Sequence, residues 1–165
     1  MSGKQVVFAH GKESGPWGTK IRYLADLAVA EGWAVESPDY SGRDDPAERM
    51  EKLLARPRDA ERLVLCGSSM GGYVSAMACQ RLQPHGLFLL APALYLPGYP
   101  GEPADCPAAT VVVHGWQDDI VPPANAIRFA ESRGCPLHLL DDGHRLVDSL
   151  DFIGQQFSAL LRSLG

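Results

Sequence analysis

A serine becomes a nucleophile when a histidine takes its proton and an acid holds that histidine in the right tautomer. Gly67-Ser68-Ser69-Met70-Gly71 matches G-x-S-x-G, a pattern that places a serine on a sharp turn from strand to helix. Alone it is weak, because a chain with 17 glycines meets it by chance and a plain Gly-Ser turn would satisfy it. Its setting sharpens it: the apolar run Leu63-Val64-Leu65-Cys66 comes before and a helical pattern follows. A strained turn needs neighbours without side chains two residues to either side, which selects Ser69 over Ser68. The start of the following helix would favour negative charge developing near Ser69.

The acid and the base have matching positions. His114-Gly115-Trp116-Gln117-Asp118-Asp119 follows an apolar run, so Asp118 stands at the end of a strand, where open α/β sheets place their sites. Of the adjacent acids, Asp119 is expected to cap the helix beginning near Pro122-Pro123, leaving Asp118 to orient a histidine. Asp141-Asp142-Gly143-His144 follows the last apolar run, and of the five histidines only His144 lies in a turn after it. His10 and His114 open His-Gly turns, where a structural bond to the backbone is expected. The order Ser69, Asp118, His144 is that of one particular scaffold. His10-Gly11-Lys12 follows the first run and could aim an amide at a developing oxyanion; the donors would be the N–H groups of Lys12 and Met70. Trp116 and Tyr95 are candidates for the acyl pocket. Lys12 and Arg145 flank the turn and the base, which would suit an acidic substrate, although charges at a rim are more often simply solvated.

The elements that must hold these residues are legible as an alternation of short apolar runs with longer helical patterns, the sign of a parallel sheet covered by helices. Strands are expected at residues 5–10, 33–37, 62–67, 86–91, 109–115 and 137–141. Several are apolar throughout rather than alternating, which implies burial on both faces. The first helix should carry Trp17, Ile21, Leu24 and Ala28 on one face and stop at Gly32. Others are expected at 46–55, from Met70 to about Leu82, and at 123–132. Leu146, Leu150, Ile153, Phe157, Leu160 and Leu164 outline a long C-terminal helix. Residues 92–107, rich in proline, form a loop.

Composition narrows the function further. The 165 residues fit one domain, 1–165. A net charge of −5 with no basic run argues against a nucleic-acid partner or an anionic membrane surface. The first apolar run, residues 6–9, is too short for a secretory signal, and no stretch is long enough to span a bilayer. No two of Cys66, Cys79, Cys106 and Cys135 have zinc or redox spacing, so reduced thiols and a cytoplasmic location are expected. No metal ligand set is visible.

With these residues in place, nearly the whole chain resembles the α/β-hydrolase superfamily. The elbow at 67–71, the His114-Gly115-x-x-Asp118-x-x-Val121-Pro122 segment and Gly143-His144 are similar to that family's motifs and in its order. His10-Gly11 is similar to its oxyanion turn, and Glu13-Ser14-Gly15-Pro16 resembles small bacterial hydrolases. The resemblance implies a minimal fold: six mostly parallel strands in the order 4-3-5-6-7-8 by the family's labels, helices on both faces, two N-terminal strands missing and no cap domain. It implies a serine hydrolase with catalytic Ser69, Asp118 and His144, no cofactor, and a small acyl ester or thioester as substrate. An acyltransferase would use the same residues, and a binding protein on the same scaffold is the alternative from another class. Dimerisation over the edge strands stays open, since no residue pattern demands it.

Overall fold

The computed structural model describes residues 2–165. Six strands, β1 (Ser2–Ala9), β2 (Ala34–Glu36), β3 (Ala60–Ser68), β4 (Gly86–Leu90), β5 (Ala109–Gly115) and β6 (Leu137–Leu140), alternate with helices α1 (Thr19–Ala30), α2 (Pro46–Leu54), α3 (Met70–Leu82), α4 (Pro123–Arg133) and α5 (Leu150–Leu164). The sheet order is β2-β1-β3-β4-β5-β6 with every pairing parallel. By the family's labels this is 4-3-5-6-7-8, as the sequence implied.

The continuous apolar runs are buried on both sides of the sheet. Val7, Ala9, Leu65, Leu87, Leu89 and Val112 face a core layer completed by α2, α3 and α4. Val6, Phe8, Val64, Cys66, Phe88 and Val113 face the opposite layer, closed by α1 and α5. Neighbouring residues therefore enter different layers, as the period of two in a strand requires. From the end of β4 to the start of β5, residues 91–108, the chain forms bends and turns without a helix or strand, so no cap covers the sheet. None of the helices described is long and apolar enough to cross a membrane.

Two helix starts differ from expectation. Trp17 lies outside α1: Gly18 takes the extended N-cap conformation, and Trp17 sits in the preceding turn, 39% exposed rather than on the apolar face. Leu146 is buried against α5 but precedes it. The helix waits for Ser149 because Asp142 Oδ2 accepts the Asp148 amide (3.0 Å) and the Ser149 hydroxyl (2.7 Å), winding residues 142–149 into a loop in which Leu146 has φ 55°. An apolar residue at helical spacing can be buried without being helical.

Candidate active site

The turn after β3 is as tight as the motif requires. Ser69 has φ 55° and ψ −118°, a region disfavoured for a residue with a side chain. The turn is tied to the next strand, since the Ser69 amide donates to Leu90 O (3.0 Å) and the Ala93 amide to Ser69 O (3.0 Å). A Cβ on Gly67 would lie 2.2 Å from Gly71 O, and one on Gly71 would lie 1.9 Å from Ala9 O. Both glycines are therefore forced by close backbone approach, which is the physical content of their spacing around Ser69.

Ser69, His144 and Asp118 form one hydrogen-bonded chain. Ser69 Oγ lies 3.0 Å from His144 Nε2, and His144 Nδ1 lies 2.7 Å from Asp118 Oδ2. The carboxylate only accepts, so the histidine proton belongs on Nδ1 and the Nε2 lone pair faces the serine hydroxyl. Three strand ends deliver the three groups: Ser69 after β3, Asp118 after β5 and His144 after β6.

Asp118 is held by more than its histidine. Oδ1 accepts the amides of Ile120 (2.9 Å) and Val121 (2.8 Å), closing the turn after β5. This corrects the expectation for Asp119: α4 begins at Pro123 behind an N-cap proline with no side-chain cap, and the turn amides go to Asp118. Asp118 Oδ2 also lies 3.1 Å from His114 Nε2, whose other neighbour is Val121 O at 2.9 Å. Both neighbours accept, so His114 is protonated on Nε2; its Nδ1 is buried without a partner among the described residues. Burial lowers the His114 pKa below the usual histidine value, outweighing the backbone bond to Val121 and the charge of Asp118 that raise it. The sequence marked His114 as structural, but its contact with the acid went unread.

On the other side of Ser69 lies the turn after β1. A Cβ on Gly11 would come 3.5 Å from Ser69 Cβ, so this turn packs directly on Ser69. The His10 ring is fixed as one tautomer: Nδ1 donates to Gly11 O (2.8 Å) and Nε2 accepts the Tyr40 amide (2.9 Å). Burial lowers its pKa as well, with the Arg49 charge adding to the effect. Among the described residues the amides of Lys12 and of Met70, the first residue of α3, have no acceptor.

An open depression of about 400 Å³ lies beside His144, walled by Ile120, Val147 and Arg145. Neither aromatic assigned to an acyl pocket lines it. Trp116 donates its amide to Leu140 O (2.8 Å) and leaves its ring 54% exposed, while the Tyr95 ring lies under the Arg128 guanidinium (3.8 Å). Lys12 and Arg145 are exposed, and of the two only Arg145 borders the depression. The Arg145 carbonyl accepts from Lys20 Nζ (3.0 Å), so the histidine loop is anchored to α1, a contact with no local signal in the sequence. The four cysteines are free.

Residues 5–99 match the uncharacterised protein family UPF0227. No curated protein matches the chain. A Xanthomonas campestris pv. campestris protein assigned as a hydrolase of the α/β superfamily is 34% identical with a TM-score of 0.88, covering 98% of this chain and 99% of its own. Est1E from Butyrivibrio proteoclasticus has the same fold at 16% identity, with a TM-score of 0.81 over 99% of this chain and 88% of that one. So does an α/β serine hydrolase without lid from Xanthomonas campestris at 23% identity, with a TM-score of 0.68 over 96% and 81%.

Proposed function

The chain belongs to the UPF0227 family and to the α/β-hydrolase superfamily, and on that footing we propose that it is a serine hydrolase cleaving a carboxylic ester or thioester through an acyl-enzyme on Ser69. A fold hosts many functions, so the reading rests on the site. The observation that carries it is the chain from Ser69 Oγ to His144 Nε2 (3.0 Å) and from His144 Nδ1 to Asp118 Oδ2 (2.7 Å).

Ser69 Oγ attacks the acyl carbonyl while its proton passes to His144 Nε2. Asp118 Oδ2 stabilises the imidazolium so formed. The carbonyl oxygen, now negative, is held by the amides of Lys12 and Met70, the latter at the positive end of α3. The tetrahedral species collapses as His144 gives its proton to the departing alcohol or thiol. Water deprotonated by His144 then attacks the acyl-enzyme and releases the acid.

Without a cap, the acyl chain has only the strand-end turns and residues 91–108 to cover it. Each fully buried methylene would add about 0.8 kcal/mol, and that gain should stop once the chain reaches water, at roughly C4–C6. The test is labelling by a fluorophosphonate, followed by turnover of a chain-length series of esters and thioesters. The wild type should label and hydrolyse short acyl groups best, and Ser69→Ala should do neither. A folded wild type that resists the probe would overturn the reading.

A further inference from the structure

Arg49 is the largest fully buried side chain in the molecule, 1% exposed. It projects from α2 beneath the turn after β1 and donates to three main-chain carbonyls: Nη1 to His10 O (2.5 Å), Nη2 to Gly11 O (3.2 Å) and Nε to Arg43 O (2.8 Å). The Tyr40 ring lies 5.3 Å from the guanidinium. Among the described residues Arg49 takes part in no ion pair. A buried cation without a counter-charge is costly, and stem packing alone would be served as well by leucine or methionine.

The two carbonyls explain the charge. A peptide unit is planar and trans, so its C=O and N–H point in opposite directions and fixing one fixes the other. His10 O shares its unit with the Gly11 amide, which donates to Ser14 Oγ (3.0 Å). Gly11 O shares its unit with the Lys12 amide, which has no acceptor among the described residues. Gly11 O also accepts from His10 Nδ1 (2.8 Å), so Arg49 and His10 together hold the carbonyl end of that unit inward and planarity turns its N–H end away from them, in a turn whose Gly11 packs on Ser69. A cationic donor on the carbonyl also polarises the unit and strengthens its N–H as a donor.

We propose that Arg49 is a positioning residue of the oxyanion hole, orienting and polarising the Lys12 amide toward the oxygen that becomes negative when Ser69 attacks. The proposal rests on the serine-hydrolase reading above. It assigns to α2, which contributes no group to the reaction, the task of preparing a donor in the turn after β1.

Arg49→Met and Arg49→Lys separate this role from packing. The readouts are thermal melting, kcat and KM on a short-chain ester, the fluorophosphonate rate, and inhibition by a short alkyl boronic acid, whose tetrahedral adduct places a negative oxygen in the hole. Removing one oxyanion donor outright costs about 10²–10³-fold in kcat, so weakening one should cost Arg49→Met roughly 10–100-fold. KM should stay within about two-fold, since the interaction is made in the transition state. Boronate affinity should fall in parallel with kcat/KM, and Arg49→Lys, which keeps a cationic donor, should recover part of the loss. In the wild type, the Lys12 amide proton should move downfield when the boronate binds, a check that survives even if a variant does not fold. Folded variants with unchanged kcat and boronate affinity, a loss confined to KM, or an unmoved Lys12 amide would overturn the proposal. If the folded wild type itself fails to label, the serine-hydrolase reading fails first; labelling with indifferent Arg49 variants sinks this inference alone.

Discussion

On one side of Ser69, beyond β5, a buried carboxylate is surrounded by donors; on the other, beneath β1, a buried guanidinium is surrounded by acceptors. Asp118 meets two turn amides and two histidines, while Arg49 meets three carbonyls and an aromatic face. Neither is neutralised by an opposite formal charge, yet each is saturated with hydrogen bonds, the condition for tolerating a buried ion. The difference lies in what the partners can do. One partner of Asp118 is His144, a group able to gain and lose a proton, so on the proposed mechanism the negative charge is coupled to proton transfer. The partners of Arg49 are carbonyls, which cannot move a proton, so the positive charge can act only by fixing and polarising what it holds.

That contrast predicts unequal losses. Asp118→Asn keeps the size of the side chain but removes the charge that stabilises the imidazolium and selects the Nδ1–H tautomer. It should lower kcat by roughly 10³–10⁴-fold, well beyond the loss from Arg49→Met. Steady-state kinetics on one short-chain ester checks both. An Arg49 variant as damaged in kcat as Asp118→Asn, with its melting temperature intact, would mean the guanidinium takes a more direct part than orientation.

The same contrast explains what was legible in the sequence. Asp118 was readable because its turn is local: its Oδ1 accepts the amides two and three residues ahead, and the spacing from His114-Gly115 marks the strand end. Gly67 and Gly71 were readable because a close backbone approach leaves no alternative to glycine, and the sheet because continuous apolar runs mean burial on both faces. Arg49 was not, since the two partners in the turn after β1 lie 38 and 39 residues earlier and nothing local announces them. A faint signal existed: Arg49 stands one turn before buried Leu53 on the inward face of α2, where an apolar residue would be expected. The surroundings of Tyr95 and Trp116 were illegible for a similar reason, because the Arg128 stack and the exposure of Trp116 are set by tertiary neighbours.

Each buried charge also has a buried histidine beside it, and pH separates the two. Burial is the main cause lowering both pKa values; Arg49 lowers that of His10 further, whereas Asp118 raises that of His114. In the unfolded chain both histidines titrate near 6.5. Below that pH the unfolded state takes up protons that the folded state refuses, so stability is complete above about 6.5 and falls as pH drops toward the folded-state values. Denaturant titrations between pH 7.5 and 5 should show this slope, and His114→Gln should flatten it. Arg49→Met should flatten the His10 contribution by relieving repulsion, and Asp118→Asn should extend that of His114 to lower pH. A wild type equally stable at both ends of this range would contradict the burial of both rings as neutral groups.

The smallest expected effect sets two neighbouring acids against each other. Asp119 is exposed and lines the open depression beside His144, whereas the Asp118 carboxylate beside it is buried and occupied at both oxygens. The amides that a capping Asp119 would have bound already donate to Asp118 Oδ1, so Asp119→Asn removes no bond of the turn. Stability should change by no more than about 0.5 kcal/mol, as for a surface substitution away from any special feature. For a neutral ester, kcat/KM should stay within about two-fold, because a solvated charge at the rim contributes nothing specific to the transition state. For an anionic ester KM should fall modestly, since one negative charge leaves the mouth while Arg145 remains, and added salt should erase the gain. Denaturant melts and Michaelis curves for a neutral and an anionic ester of equal acyl length measure all three. A ten-fold loss of kcat on the neutral ester would mean that the acid serving His144 is shared between the two aspartates, and that the division between a buried working charge and an exposed idle one does not hold at this strand end.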